Sequence, residues 1–178
     1  MKKRLLSLLL VVVMMLGMFP VSVMATEEET VYISVSRDGR YIDDRNNAPM
    51  AYVPVTLPEL KSVDLETYGL SEYQYDADND GTYELTALHL TIYAYEEMYG
   101  GNWSGEVIVS GDAGSLYFQN GLFGADENLK YYVNGAYPLA SAGWGATADR
   151  IVIEGGDFLD IASFTSWSFD TDAYAGFH

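Results

Sequence analysis

The chain has 178 residues, with 26 Asp and Glu against nine Lys and Arg, two His and no Cys. The missing thiols exclude disulfide staples, cysteine nucleophiles and thiolate zinc sites, and two histidines are too few for a multi-histidine metal centre. So acidic a surface repels nucleic acid and anionic lipid and attracts cations.

Residues 1–25 predict a cleaved secretory signal. Lys2, Lys3 and Arg4 form a positive start, Leu5 to Phe19 an apolar run too short for a membrane span, and Val23 to Ala25 a small-residue cleavage site. Three of the nine cations lie in this leader and every acid lies beyond it, so residues 26–178 carry a net charge of −20. The expectation is one exported domain over 26–178, long enough to bury a core, with no membrane insertion after cleavage. The apolar ending at Phe177 and His178 suggests the N-terminal piece of a longer surface protein with further domains.

Along the exported part, Val31, Ile33 and Val35 alternate with Tyr32, Ser34 and Ser36, the pattern of a half-buried strand. Asp38-Gly39 supplies a hairpin turn. Ala51 to Leu57 reads as a second strand, which Pro54 confines to an edge or bulge. Residues 58–70 hold at most one short helical turn.

The run Asp76-Ala-Asp-Asn-Asp-Gly-Thr-Tyr-Glu84 matches the first nine places of a calcium loop. Asp76, Asp78 and Asp80 offer carboxylates at alternate places around Gly81, Thr82 a main-chain carbonyl, and Glu84 a further oxygen. Place twelve, where such a loop has its bidentate glutamate, is Ala87, so calcium would be held weakly. The alternative is an acidic turn that needs no metal.

The spacing of Leu88, Ile92, Tyr95 and Tyr99 predicts one main helix over 86–99, capped by Thr86 and ended by Gly100-Gly101. His89 lies one place off that stripe and reads as a boundary residue. Glu96 and Glu97 stand at the helix C-terminus, where the macrodipole disfavours them.

From 104 onward the chain is rich in strand signals, at 106–111, 114–119, 129–135 and 149–164, with Asn134-Gly135 and Gly155-Gly156 as turns. Strands, one helix, then strands predict an α+β fold: a mixed β-sheet with one main helix in a β-grasp-like arrangement. The alternative is a β-sandwich with one decorating helix. Val31, Leu88, Ile92, Tyr132, Val133, Ile151 and Ile153 are the candidate core.

Fifteen Tyr and three Trp are many for this length. Trp103, Trp144 and Trp167 are each flanked by small residues, which suits a ligand-binding platform for a glycan or other small molecule, although core packing explains aromatic rings as well. The carboxylate pairs Asp43/Asp44, Asp126/Glu127 and Asp157/Asp160 are abundant, and sequence proximity singles out none as a glycosidase pair.

Four motifs in order carry a family resemblance: "TALHLTIYAY", "GSLYFQNGLFG", "YYVNGAYP" and "ADRIVIEGGDFLDIA". On these, residues 85–169 resemble the transcobalamin-like C-terminal domain family of exported Gram-positive bacterial proteins. The resemblance implies a β-grasp-like module on a multidomain surface protein and carries over no catalytic residues. In vitamin carriers such a module closes over a cobamide beside a large helical domain, for which this chain has no room. The functional expectation is therefore a secreted or cell-surface, non-catalytic binding or adhesion module, possessing calcium if the acidic loop is filled. A carboxylate-dependent glycan-active enzyme and a cobamide-binding module are the alternatives.

Overall fold

The computed structural model of the protein describes residues 29–100, 107–119, 123, 129–140, 143 and 145–163. The leader, Trp103, Trp144, Trp167 and the Asp126/Glu127 pair lie outside the described residues.

The alternating apolar residues of the first strand decide the architecture. Strand β1 (Thr30–Arg37) turns Val31, Ile33 and Val35, all essentially inaccessible, toward the main helix. Asp38 and Gly39 both have positive φ, 52° and 71°, so a two-residue hairpin leads directly into β2 (Arg40–Tyr41). Strand β3 (Val53–Thr56) pairs with the first half of β1 along the same edge, and Pro54 sits on this outer strand as its missing N–H requires.

Thr56 then opens a short helix, α1 (Leu57–Lys61). The Thr56 N–H donates to Glu59 Oε2 at 2.8 Å and the Glu59 N–H donates back to Thr56 Oγ1 at 3.3 Å. This is a capping box, Thr-x-x-Glu with a proline in the first turn, and it starts the helix at Leu57, inside the stretch expected to be strand. The main helix, α2 (Ala87–Tyr99), ends at Gly100, whose N–H donates to the Glu96 carbonyl at 2.7 Å. The carboxylates at its C-terminus have partners after all. The Tyr68 hydroxyl donates to Glu96 Oε1 at 2.7 Å, and Arg45 Nη2 stands 4.0 Å from Glu97 Oε1.

The later strands are shorter than their sequence signals. Among the described residues of 106–119, β4 (Val109–Ser110) and β5 (Tyr117–Phe118) form a separate two-stranded ribbon. Strand β6 (Leu129–Val133) is followed by a two-residue Asn134-Gly135 turn, both at positive φ, that returns only to a single bridge at Ala136. The 149–164 signal divides. Val152 makes one isolated bridge to Thr86, and β7 (Phe158–Ser163) is the strand proper. Ile151 and Ile153 are nonetheless buried.

Strand β7 runs parallel to β1, with Ile33 opposite Leu159 and Val35 opposite Ile161. Strand β6 runs antiparallel to β7, with Tyr131 opposite Ile161. The order β2-β1-β7-β6, with β3 beside β2 on the same edge of β1, is a mixed sheet with a parallel central pair. The α+β fold with one main helix is therefore what the chain adopts, in a β-grasp-like order. One correction concerns Tyr132. It is buried, but it shares the sheet's other face with Asp160 and does not join the helix-side core. That other face is not bare. Tyr32 stacks on Phe158 with ring centroids 4.7 Å apart, and the buried Ser34 Oγ accepts from the Tyr52 N–H at 3.0 Å.

Candidate functional site

The acidic loop leaves the short helical turn at Ser71–Tyr73 and returns to the start of α2. Two residues at positive φ bend it, Asn79 at 59° and Gly81 at 88°, the latter at no steric cost to glycine. Asp76 organises it. Its Oδ1 accepts from the Asp80 N–H at 3.1 Å and its Oδ2 from the Gly81 N–H at 2.9 Å. Asp80 Oδ1 accepts from the Thr82 N–H at 2.7 Å, and the Glu84 N–H donates to the Tyr75 carbonyl at 2.8 Å, closing the loop. Asp76, Asp78 and Asp80 each offer a carboxylate oxygen, all within 4.8 Å of one another. A divalent cation with ligands at about 2.3–2.6 Å spans such a cluster. Glu84 stands outside the trio and is half-buried; Thr82 is exposed.

Of the remaining carboxylates named from sequence, Asp44 and Asp157 hold turns. Asp44 accepts from the Ala48 and Asn46 N–H groups at 2.8 and 2.7 Å, and the Ala48 bond chiefly holds its carboxyl below the usual range. Asp157 accepts from the Glu154 N–H at 2.8 Å and the Asn134 side chain at 2.7 Å, tying the two turns of the β6–β7 end together. Asp160 lies on the sheet face away from α2, where it adds to the rise of the Tyr41 phenol to about 12, an effect due first to the hydrogen bond with Tyr52.

His89 caps the main helix. Its Nδ1 accepts from the Thr86 N–H at 3.1 Å, so it fills the capping-box place at the start of α2, and burial pushes its pKa down. Sequence reading missed this because the place ordinarily carries Glu or Gln.

Among the described residues, two grooves stand out by their linings. One, of about 600 Å³, lies beside β5 and β6. Leu116, Tyr117, Leu129, Tyr137, Leu139 and Ala146 form its apolar walls. Tyr117 and Leu139 are strongly exposed, at 48% and 64%. Gly145 makes the close wall possible, since a Cβ there would stand 2.0 Å from the Tyr137 hydroxyl. No Asp or Glu lies among its described lining residues.

A buried carboxylate braces this region. Asp149, fully inaccessible, accepts from the Gly114 N–H at 2.6 Å, from Arg150 at 3.1 Å and from the Thr147 hydroxyl. It thereby fixes the β4–β5 turn to the segment that carries Ala146 and Thr147. Arg150 in turn lies over the Tyr75 ring at 4.6 Å. In sequence the pair is an adjacent Asp-Arg on what reads as a strand, with nothing to mark the carboxylate as buried.

The second groove, of about 640 Å³, gathers Arg37, Arg40, Asp38 and Asp43 beside Tyr41 and Tyr99. Its mixed charges suit a solvated cleft. Among the described residues no helix is long and apolar enough to cross a membrane. Comparison with family models, curated proteins and solved structures finds no match for this chain.

Proposed function

We propose that this chain is an exported, non-catalytic binding or adhesion module of a Gram-positive-type bacterial surface protein, stabilised by calcium at its acidic loop. The observation that supports this most is the apolar, tyrosine-bearing groove beside β6. Its volume of about 600 Å³ falls within the span of ligand pockets, about 300–1,000 Å³. A glycosidase needs two carboxyls facing across a cleft, and the described walls of this groove offer none. The transcobalamin-like resemblance of 85–169 supports the same reading, because the β-grasp-like order is the one it implies.

Trp103, Trp144 and Trp167 are kept as proposed ligand contacts. Trp144 falls in sequence between Gly143 and Gly145, two residues of the groove. The calcium assignment rests on the Asp76, Asp78 and Asp80 cluster, with the Thr82 carbonyl and Glu84 as further proposed oxygens and water completing the six to eight that calcium takes.

The test is incubation of the purified chain with a glycan panel, scored for both retention and turnover. Retention without turnover is the expected result. Release of shortened glycan by the chain would overturn the module in favour of an enzyme.

A further inference from the structure

We propose that the outer edge of β6 takes an extended, basic polypeptide segment as an added strand, with alternate side chains of that segment seated in the neighbouring groove. This rests on the binding-module reading and names the partner class of that same groove.

The phase of the β6–β7 ladder carries the argument. The Asn134 N–H donates to the Phe158 carbonyl at 2.9 Å, and the register sets Tyr132 opposite Asp160 and Lys130 opposite Ala162. In an antiparallel pair, bonded and non-bonded positions alternate. Residues 130, 132 and 134 therefore turn their main-chain groups toward β7, and residues 129, 131 and 133 turn theirs outward. Val133 is satisfied by its own turn, exchanging both bonds with Ala136 at 2.9 Å. Leu129 and Tyr131 keep an outward N–H and C=O each, with no backbone partner among the described residues. They line the groove together with Tyr117, Tyr137 and Leu139. A strand edge with open donors and acceptors next to pockets for alternate side chains is the arrangement that binds extended peptides by strand addition.

Charge chooses the occupant. A second copy of the chain could offer the same edge, but two bodies each carrying −20 beyond the leader repel one another. A basic segment is drawn in by the same field. Lys130, the one charged residue among the groove's described lining residues, is buried and engaged, and its single charge is outweighed by the net −20 of residues 26–178.

The probe is the blocked synthetic peptide KVTVKVTK, titrated calorimetrically into the purified chain. Four comparisons isolate the edge. Methylating two peptide nitrogens on one strand edge keeps charge and side chains but removes two ladder bonds, and weakens binding about tenfold or more if the edge pairs. The counterpart methylated on the opposite edge binds as the parent does. Tyr117→Ala, an exposed wall residue, weakens binding severalfold, and raising salt from about 50 to about 500 mM weakens it further. Equal binding of both methylated peptides and the parent would overturn the proposal, as would equal binding of EVTVEVTE. Concentration-dependent self-association of the chain through β6 would overturn it in favour of a second copy. Failure of the peptide with retention of a glycan would sink this inference and leave the module reading standing, whereas glycan turnover would sink the module reading itself.

Discussion

At position 89 the main helix begins on an imidazole where a carboxylate or amide ordinarily stands, and that choice makes the helix start sensitive to pH. Burial lowers the pKa of His89 in the folded chain, while the unfolded chain keeps an ordinary value of about 6.5. Above that pH both states hold a neutral ring and nothing is lost. As pH falls through 6.5 toward the folded value, the unfolded chain takes up the proton first and stability drops. Protonation also converts the Nδ1 acceptor into a donor, which breaks the bond from the Thr86 N–H. The carboxyls held down by backbone and side-chain donors, Asp44, Glu59 and Asp64, lose their contribution only below about pH 4, outside this window. His89→Gln keeps an acceptor for Thr86 and removes the titration. Melting curves from pH 7.5 to pH 5 should fall for the parent chain and fall less for this variant; parallel curves would show the imidazole is irrelevant.

Tyr131 is a second residue whose chemistry and surroundings disagree. Its hydroxyl is buried under α2 and makes no hydrogen bond among the described residues, and burial raises the phenol's pKa. Thr91, the hydroxyl beside it, donates instead to the Ala87 carbonyl at 2.7 Å. An unsatisfied buried hydroxyl costs about 1–3 kcal/mol, so Tyr131→Phe should stabilise the fold by about 1 kcal/mol in denaturant titration. A loss of stability would mean that Thr91 does accept from the phenol.

At the scale of elements, the acidic loop makes the sharpest claim. Asp76 and Asp80 spend oxygens on the loop's own N–H groups, whereas Asp78 accepts no hydrogen bond among the described residues and is exposed. Asp78→Ala therefore removes a proposed ligand without unmaking the turn. Calcium at ten times its dissociation constant adds about 1.4 kcal/mol, which for a domain of this size raises the melting temperature by about 4 °C. The parent chain should show that rise and the Asp78→Ala chain should not. An equal rise in both would remove calcium from the loop.

Elements with a local cause were legible in the sequence. The alternation of Val31, Ile33 and Val35, the Asp38-Gly39 hairpin, Pro54 on an outer strand and the span of α2 all follow from neighbours within a few residues. What could not be read depends on distant partners. Apolar residues at 106–111 and 114–119 suit strands, yet among the described residues two-residue pieces pair, because pairing needs a register that the local pattern does not hold. Ile151 and Ile153 are buried as expected, but through one bridge at Val152 and not through a strand. The groove is the least legible part. It joins β5, β6 and the 137–147 segment, and its brace is Asp149, a buried carboxylate whose partner Gly114 lies 35 positions away.

For the whole molecule, the sheet's central parallel pair joins β1 to β7, the first and last described strands, so the body closes only when both ends of that span have met. It closes against its own field. Residues 26–178 carry −20, and of their six cations only Arg37, Arg40, Arg45 and Lys61 stand exposed, since Lys130 is buried and Arg150 is spent on Asp149. Compaction brings these carboxylates together, and self-repulsion then acts against the folded state more than against the expanded one. Raising sodium chloride from about 20 to about 200 mM shortens the screening length from about 20 Å to about 7 Å. The melting temperature should therefore climb smoothly with salt, in the parent and in Asp78→Ala alike, because screening does not depend on any one carboxylate. Calcium acts differently if the loop holds it: millimolar amounts barely change the ionic strength, so a rise beyond that given by sodium chloride at matched ionic strength reports a site, and a rise no larger than that reports only the charge. A melting temperature that stays flat across the salt series would mean that the acidic surface is spaced widely enough to carry its charge without strain.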